Sequence, residues 1–297
     1  MMKEHPLVSI GLPVYNTEKT IVRALDSLLA QRYPNFEIIV SDNASDDKTT
    51  EICRKYALKD NRIKFNVNEK NLGISANFQI VYGKAAGNYF MMAGGDDVWK
   101  PEFVPTLVKI LESDPNVGVA LCSVRREYSD GRFEDVIKFD EAHNPNNLSN
   151  LQIAAKLLSP KEQIKDLKYN IFMCGLFRWE AIKGLLLSFG DEILTYGDRA
   201  FLAPIALGYK FYYVDKELLV KTIYEDPFKK RYPDDEFVQG KKDHKYLRYY
   251  LKMIFWIIKS PNIPRESKLF VFVILYYLTY KYLNKLKRNI RKLFYSF

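Results

Sequence analysis

The sequence predicts an α/β protein whose mostly parallel sheet is flanked by helices and is followed by a C-terminal amphipathic helical segment. Strand and helix patterns alternate through the first hundred residues, which is typical of βαβ units. The predicted strands end in polar residues and glycines, and right-handed crossovers bring such ends to one edge of a parallel sheet. From residue 246 onward, aromatic and aliphatic residues are interleaved with basic ones.

Composition places the chain among globular proteins. Its 297 residues suffice for one large α/β domain with an appended segment, and 47% of them are hydrophobic. The net charge of +9 is uneven: from Lys241 onward, 14 Lys and Arg stand against Asp243 and Glu266, a net of +12 that leaves −3 for residues 1–240. Three widely spaced cysteines and an N-terminus without a signal-peptide pattern predict a reduced, cytoplasmic protein.

Hydrophobic periodicity and turn residues give the elements in order. Residues 125–150 are rich in turn residues and are predicted to leave the sheet, and residues 226–240 to form a loop. The predicted elements are strand 7–13, helix 21–29, strand 36–41, helix 49–58, strand 63–67, helix 75–86, strand 89–93, helix 101–112, strand 117–124, helix 151–158, core segment 171–178, an apolar helix opening at 197–199, and strand 210–214.

The most informative feature is the end of the strand at 89–93, where Gly94-Gly95-Asp96-Asp97 follows a buried apolar run. Two adjacent carboxylates favour water, a helix N-terminus or a divalent cation. Asp42, at the end of the second strand, is suited to hydrogen-bond a base or ribose. No GxGxxG or GxxxxGK[ST] phosphate loop is present. The pattern therefore suggests a nucleoside diphosphate held by polar side chains and a metal, although Asp96-Asp97 alone is also explained as a helix cap.

Four motifs, taken together, resemble family 2 glycosyltransferases of the GT-A fold. They are VSIGLPVYN at 8–16, IVSDNASDD at 39–47, NLG at 71–73 and GGDD at 94–97. Their order and spacing carry the resemblance over residues 6–124, and it continues more weakly to about 220. It implies inverting transfer of a sugar from a nucleoside-diphosphate sugar, most often a UDP-sugar, to an acceptor hydroxyl.

The resemblance also implies roles for individual residues. Asp96 and Asp97 would hold Mg²⁺ or Mn²⁺ against the donor diphosphate. Asp198, within YGDRAF at 196–201, is the candidate catalytic base, with Asp191 and Glu192 as alternatives; Gly-Asp before a helix is also a common cap. The residues expected to bind the nucleotide sugar are Pro13, Tyr15, Glu18, Asp42, Asn71, Gly73, Asn77 and Asp96.

The chain departs from the family pattern at two positions. Gly94 stands where relatives often carry the first acid of Asp-x-Asp-Asp, and Asn77 stands near the position of a frequent arginine. Two other functions stay open at this point: a nucleotidyltransferase that makes the activated sugar, and a non-catalytic homologue that binds the nucleotide sugar.

The resemblance suggests a catalytic domain over 1–225, with a nucleotide-sugar half at 6–124 and an acceptor-side half at 125–225. A linker at 226–245 and a basic aromatic tail at 246–297 would follow. Residues 174–179 are read either as lining the acceptor side or as core. The expected partners are the nucleotide-sugar donor and a glycan or lipid-linked acceptor, with a second copy of the chain as a further candidate, but no nucleic acid.

Three interpretations of the tail compete: helices packed on the catalytic domain or a second subunit, an anchor at an anionic membrane surface, and, last, nucleic-acid binding. Its longest apolar run, 269–280, is about twelve residues long, whereas a membrane-spanning helix needs about 20. The sequence therefore predicts peripheral attachment at the inner face of the cell membrane and a role in cell-surface polysaccharide or glycolipid assembly.

Overall fold

The fold, in a computed structural model, consists of a mixed sheet with helices packed against it. Residues 5–158, 172–189 and 198–225 are described, with short pieces between 254 and 276. The elements in chain order are β1 (Val8–Val14), α1 (Ile21–Leu29), β2 (Phe36–Asp42), α2 (Thr49–Lys59), β3 (Ile63–Val67), α3 (Ile74–Lys84), β4 (Tyr89–Met92), β5 (Val98–Trp99), α4 (Phe103–Ser113), β6 (Val117–Tyr128), β7 (Phe133–Ile137), a 3₁₀ turn (Pro145–Asn147), α5 (Asn150–Leu158), β8 (Leu176–Arg178), α6 (Trp179–Phe189), α7 (Asp198–Gly208), β9 (Lys210–Ile223) and α8 (Arg265–Lys268).

The described strands form one sheet in the order β3-β2-β1-β4-β8-β6-β9-β5, with β7 paired to β6. The first four are parallel, as predicted, and Val14 lies opposite Asp42 at their carboxyl ends. Strand β8 is antiparallel to both β4 and β6, which makes the sheet mixed beyond β4. The predicted α/β fold is confirmed, and the carboxyl ends of β1 to β4 share one edge.

Burial explains why the first elements form where they do. Every residue of β2 is buried, as expected for an inner parallel strand covered on both faces. In α1, apolar residues at helical spacing, among them Ile21, Leu25 and Leu28, are fully buried. These contacts fix the loops at the carboxyl edge by holding the elements on either side of them.

Two predictions of element boundaries are wrong. Residues 125–137 do not leave the sheet, because β6 continues to Tyr128 and turns at Gly131 (φ 89°) into β7, which pairs with it. The late strand does not end at Val214. Strand β9 continues to Ile223 and pairs with β6 along its length, because shifts in register absorb the polar residues after Val214.

The cysteines fit a structural role. Cys53 and Cys122 are buried, and burial raises the pKa of each thiol to about 12, so neither is a reactive thiolate at neutral pH.

Within the described residues, no helix has the length and apolar character to cross a membrane. The predicted linker at 226–245 and most of the tail lie outside the described residues.

Candidate active site

The loops that follow β1 and β2 are clasped together by hydrogen bonds. The backbone N–H of Asn16 donates to Ser45 Oγ at 2.9 Å, and Asn16 adopts a φ of 52°, which asparagine tolerates better than most residues. The N–H of Glu18 donates to Asp47 Oδ2 at 3.0 Å, and the N–H of Lys48 donates to Glu18 Oε2 at 3.1 Å. The Glu18 carboxylate thus serves to join the two loops, at the edge where the sequence predicted a nucleotide site.

The Asp47 carboxylate is the acceptor that holds this clasp. Burial acts to raise its pKa, but hydrogen bonds from the Thr49 side chain and from the backbone N–H groups of Glu18 and Thr49 outweigh that effect and keep the pKa below its ordinary value of 3.8. Asp47 is therefore ionised at neutral pH and keeps both loops in place.

Asp42, the predicted base ligand, is fully buried at the end of β2. Its Oδ1 accepts hydrogen bonds from the N–H of Ser45 at 3.1 Å and from Ser45 Oγ at 2.5 Å, and its Oδ2 accepts one from the Thr50 hydroxyl. In this conformation the carboxylate shapes the loop after β2. Its predicted contact with a base stays a prediction.

A network of asparagines ties the ends of β1, β2 and β3 to the start of α3. Asn77 is buried and its amide donates to the carbonyl of Ser41 at 3.0 Å. Asn68 donates to Asn77 Oδ1 at 3.1 Å and to Asn43 Oδ1 at 3.0 Å. Asn43 in turn donates to Asn71 Oδ1 at 2.7 Å. Asn71 and Asn77 therefore fix the shape of the edge.

The turn before α3 contains Gly73, which has a φ of 83°. Residues that carry a Cβ rarely adopt this left-handed backbone conformation, so a glycine is required there. The backbone N–H of Gly73 donates to Asn71 Oδ1 at 2.9 Å. Of the other predicted ligands, Pro13 lies near the end of β1 and Tyr15 directly follows that strand, and both are half-buried.

The turn after β4 carries Asp96 and Asp97 and is held by strand β9. Asp97 is buried: its Oδ1 accepts from the N–H of Thr222 at 3.0 Å, and its Oδ2 lies 3.0 Å from Lys221 Nζ. Asp96 Oδ2 accepts from the Tyr224 hydroxyl at 3.0 Å. The sequence-based prediction missed Lys221, Thr222 and Tyr224. The run of Leu, Val, Thr and Ile over 218–223, interrupted only by Lys221, was the signal that could have found this extension of β9.

A second cation reaches the same turn from helix α1. Arg23 Nη2 donates to the carbonyl of Asp96 at 3.2 Å and to Thr222 Oγ1 at 2.8 Å. The turn that carries Asp96 and Asp97 is thus contacted by two protein cations, Lys221 at the Asp97 carboxylate and Arg23 at the Asp96 carbonyl. The negative Asp97 beside Lys221 raises the pKa of that ammonium, so Lys221 is charged at neutral pH.

The predicted metal site is limited by Gly94. A Cβ added to Gly94 would lie 2.9 Å from Asp97 Oδ2 and 3.0 Å from Asp96 Oδ1, so the two carboxylates occupy space next to residue 94 that another acid would need. A cation on Asp97 would also compete with Lys221. Asp96 fits a cation bound chiefly by phosphate oxygens, since Mg²⁺ is often held by one or two carboxylates plus substrate phosphates. Among the described residues, no three His, Cys, Asp or Glu side chains are grouped to hold a metal.

The candidate base is placed only through its backbone. Asp198 begins α7, which joins β9 through Tyr209, so Asp198 lies at the end of the helix opposite that connection. The alternatives Asp191 and Glu192 lie outside the described residues. In the 174–179 segment, Leu176 and Phe177 are buried in β8, and Arg178 donates to the carbonyl of Val117 at 3.0 Å, which gives residues 176–178 a core role.

Comparisons with known proteins agree with this geometry. The family model for glycosyl transferase family 2 matches residues 9–185. A putative glycosyltransferase of Bacillus subtilis, EpsE, is 35% identical over 112 residues, which are 37% of this chain and 40% of EpsE. Glycosyltransferase GlyA of Streptococcus pneumoniae is 34% identical over 113 residues, 38% of this chain and 16% of GlyA. The chain thus spans less than half of the length of these relatives.

Two solved structures share the fold. TarS of S. aureus (1–349), in complex with UDP, superposes with a TM-score of 0.60 at 19% identity, covering 90% of this chain and 70% of that one. The mannosyltransferase PcManGT of Pyrobaculum calidifontis, in complex with GDP-Man and Mn²⁺, superposes with a TM-score of 0.56 at 18% identity, covering 93% and 70%. Because the family model covers more than half of the sequence, the chain belongs to glycosyltransferase family 2, and the superpositions agree with the GT-A fold.

Proposed function

We propose that this chain transfers a sugar from a nucleoside-diphosphate sugar, a UDP-sugar by preference, to an acceptor hydroxyl with inversion at the anomeric carbon. The observation that carries the proposal is the convergence, at one carboxyl edge, of the clasped loops after β1 and β2 with the turn that carries Asp96, whose Gly95 lies beside Val14 and Thr17. Thr17 Oγ1, beside Gly95 at this edge, is buried without a hydrogen-bond partner among the described residues, as expected where a ligand is to supply one. The solved structures of TarS with UDP and of PcManGT with GDP-Man support a nucleoside-diphosphate sugar as the donor, and the former supports UDP.

Each group at the edge has a role in the proposed reaction. In this proposal Tyr15 and Asp42 are assigned to the base and ribose, while the asparagine network keeps the strand ends fixed. The acceptor oxygen attacks the anomeric carbon as the bond from that carbon to the diphosphate breaks on the opposite face, and Asp198 takes the acceptor's proton. Mg²⁺ or Mn²⁺, when bound by Asp96 and the diphosphate, would stabilise the negative charge of the leaving group.

The donor can be identified by thermal shift with a panel of UDP-, GDP- and other nucleotide sugars, each with and without Mn²⁺. We expect a UDP-sugar to raise the melting temperature and Mn²⁺ to increase the rise, because a ligand that binds only the folded state stabilises it. If no nucleoside diphosphate gave a shift, the proposal would be wrong. Release of pyrophosphate from an NTP and a sugar phosphate would instead indicate a nucleotidyltransferase.

The role of Asp198 can be separated from donor binding. We expect Asp198→Asn to lower transfer by about 10²–10⁴-fold, the usual contribution of a general base, while UDP affinity changes little. Asp191→Asn and Glu192→Gln serve as matched controls because they test the two alternative bases. Unchanged transfer by Asp198→Asn would remove it as the base, and the stereochemistry of the product, read by NMR, tests inversion.

We also propose that the tail (residues 246–297) attaches the enzyme to the anionic inner face of the cell membrane. A lipid-linked glycan acceptor would be presented at this surface. Ile257, Ile263 and Val271 are buried in the same hydrophobic core as the catalytic domain, whereas Phe255 and Phe272 are 60% and 67% exposed. Exposed aromatics beside a net charge of +12 from residue 241 onward suit an anionic lipid surface.

Liposome flotation tests the attachment. We expect the full chain to bind vesicles that contain anionic lipid and to bind zwitterionic vesicles much less, because the basic residues require negative headgroups. The double variant Phe255→Ser/Phe272→Ser should lose most of this binding. Leu58→Ser, which removes an 83% exposed apolar side chain from α2, is the control and should bind as the unmodified chain does. No binding to anionic vesicles would contradict the attachment but leave the transferase proposal intact.

A further inference from the structure

Lys221, at the end of strand β9, brings a positive charge to the turn that carries Asp96 and Asp97. Its Nζ lies 3.0 Å from Asp97 Oδ2, and the neighbouring N–H of Thr222 donates to Asp97 Oδ1. The Asp97 side chain is only 5% exposed, so its two oxygens are enclosed by these partners. Asp97 therefore holds the end of β9, and with it the lysine, against the turn.

The Lys221 side chain is partly exposed although its ammonium is paired with Asp97. The side chain is 43% exposed, and an ammonium has three N–H donors, of which the bond to Asp97 uses one. The other donors can reach a ligand that binds over the turn. A buried carboxylate thus fixes a half-exposed cation at the carboxyl edge, which is an arrangement suited to an anion.

Gly94 strengthens this interpretation. Because a Cβ at position 94 would lie 2.9 Å from Asp97 Oδ2 and 3.0 Å from Asp96 Oδ1, the turn is closed around a glycine, with no acid at that position. Lys221 already pairs with Asp97, and the Arg23 guanidinium donates to the backbone carbonyl of Asp96, so two protein cations contact this turn. A phosphate that approaches this turn meets less uncompensated negative charge than it would beside a cluster of three acids.

We propose that Lys221 binds the diphosphate of the nucleotide-sugar donor directly and that Asp97 is the positioning residue that fixes its ammonium. This inference rests on the proposed function. Part of the positive charge that stabilises the leaving diphosphate then comes from the protein itself. The chain therefore binds a diphosphate in preference to a monophosphate even when divalent cations are removed. The distal phosphate is the group assigned to Lys221.

Calorimetric titration with UDP and UMP in EDTA tests the proposal without relying on turnover. We expect the unmodified chain to bind UDP at least about tenfold more tightly than UMP in EDTA, since a hydrogen bond to a charged group is commonly worth ten- to a hundredfold in affinity. Lys221→Gln should lose most of that preference while its UMP affinity stays the same. Lys221→Arg should retain it, because the charge is kept.

Lys216→Gln is the matched control, since Lys216 is an exposed lysine on the same strand, and it should keep the preference for UDP. The inference would be overturned if the unmodified chain bound UDP and UMP equally in EDTA, or if Lys221→Gln kept the preference for UDP. In either case, UDP binding in Mn²⁺ would still support the proposed function. If UDP bound neither in EDTA nor in Mn²⁺, the proposed function would fail as well. The titration of the unmodified chain decides the matter even if Lys221→Gln does not fold.

Discussion

Replacing Asp97 by alanine tests whether this residue is structural. The change leaves the N–H of Thr222 buried without its charged acceptor, which costs about 1.5–3 kcal/mol, and it removes the ion pair with Lys221. The pair adds only about 0–1 kcal/mol because the lysine is half-exposed and reaches water. We therefore expect a loss of about 3 kcal/mol in the free energy of unfolding.

Asp96→Ala is the matched comparison on the adjacent residue. Asp96 is half-buried and accepts from the Tyr224 hydroxyl, so its removal should cost about 1 kcal/mol. Urea unfolding measures both losses, and for a domain of 150–250 residues each kcal/mol lowers the melting temperature by about 2–4 °C. Transfer should fall steeply in Asp96→Ala despite its small loss of stability. Equal losses for the two variants, or a larger one for Asp96→Ala, would refute the assignment of Asp97 as the structural acid.

Three further predictions concern the same edge. Gly94→Ala should lower the free energy of unfolding in urea by about 1–3 kcal/mol, because its Cβ would lie 2.9 Å from Asp97 Oδ2. Gly83→Ala is the control and should not destabilise, because nothing lies within 4 Å of its new Cβ. Equal effects of the two substitutions would exclude the steric explanation. Asn77→Ala should cost about 1–3 kcal/mol by the same measurement, since it leaves the buried carbonyl of Ser41 without its donor, and a cost near zero would show that the network is dispensable. The pKa of Asp47 in the folded state lies below 3.8, so the stabilisation by its ionised carboxylate is complete above that pH and is lost as the pH falls through the folded pKa. The difference in melting temperature between the unmodified chain and Asp47→Asn should therefore disappear on acidification. A constant difference would contradict this linkage.

The parallel half of the fold was predictable because local pattern decides it. Strands β1 to β4 alternate with helices, and the helices predicted at 21–29, 49–58 and 75–86 are found at Ile21–Leu29, Thr49–Lys59 and Ile74–Lys84. The prediction failed where pairing between distant segments decides the structure. Strand β9 continues beyond its polar residues 215–217 because it pairs with β6, and this pairing cannot be read from a short stretch of the sequence.

The site was predictable for similar reasons and to a similar extent. Asp42, Asn71 and Asp96 end or follow recognisable strands, so their placement at one edge followed from strand direction. What the motifs did not reveal is that Asp42 and Asn77 are buried within the protein's own hydrogen bonds. Lys221 was missed because it is more than a hundred residues beyond Asp97 in sequence and reaches it only through the extended β9.

A crystal structure of the full chain with UDP and Mn²⁺ tests the central claim, that the carboxyl edge of β1 to β4 is the nucleotide-sugar site, most directly. We expect the uracil to lie at the loops that follow β1 and β2, near Tyr15 and Asp42, and the diphosphate to lie within hydrogen-bond distance of Lys221 with the metal on Asp96. UDP bound away from this edge would contradict the claim.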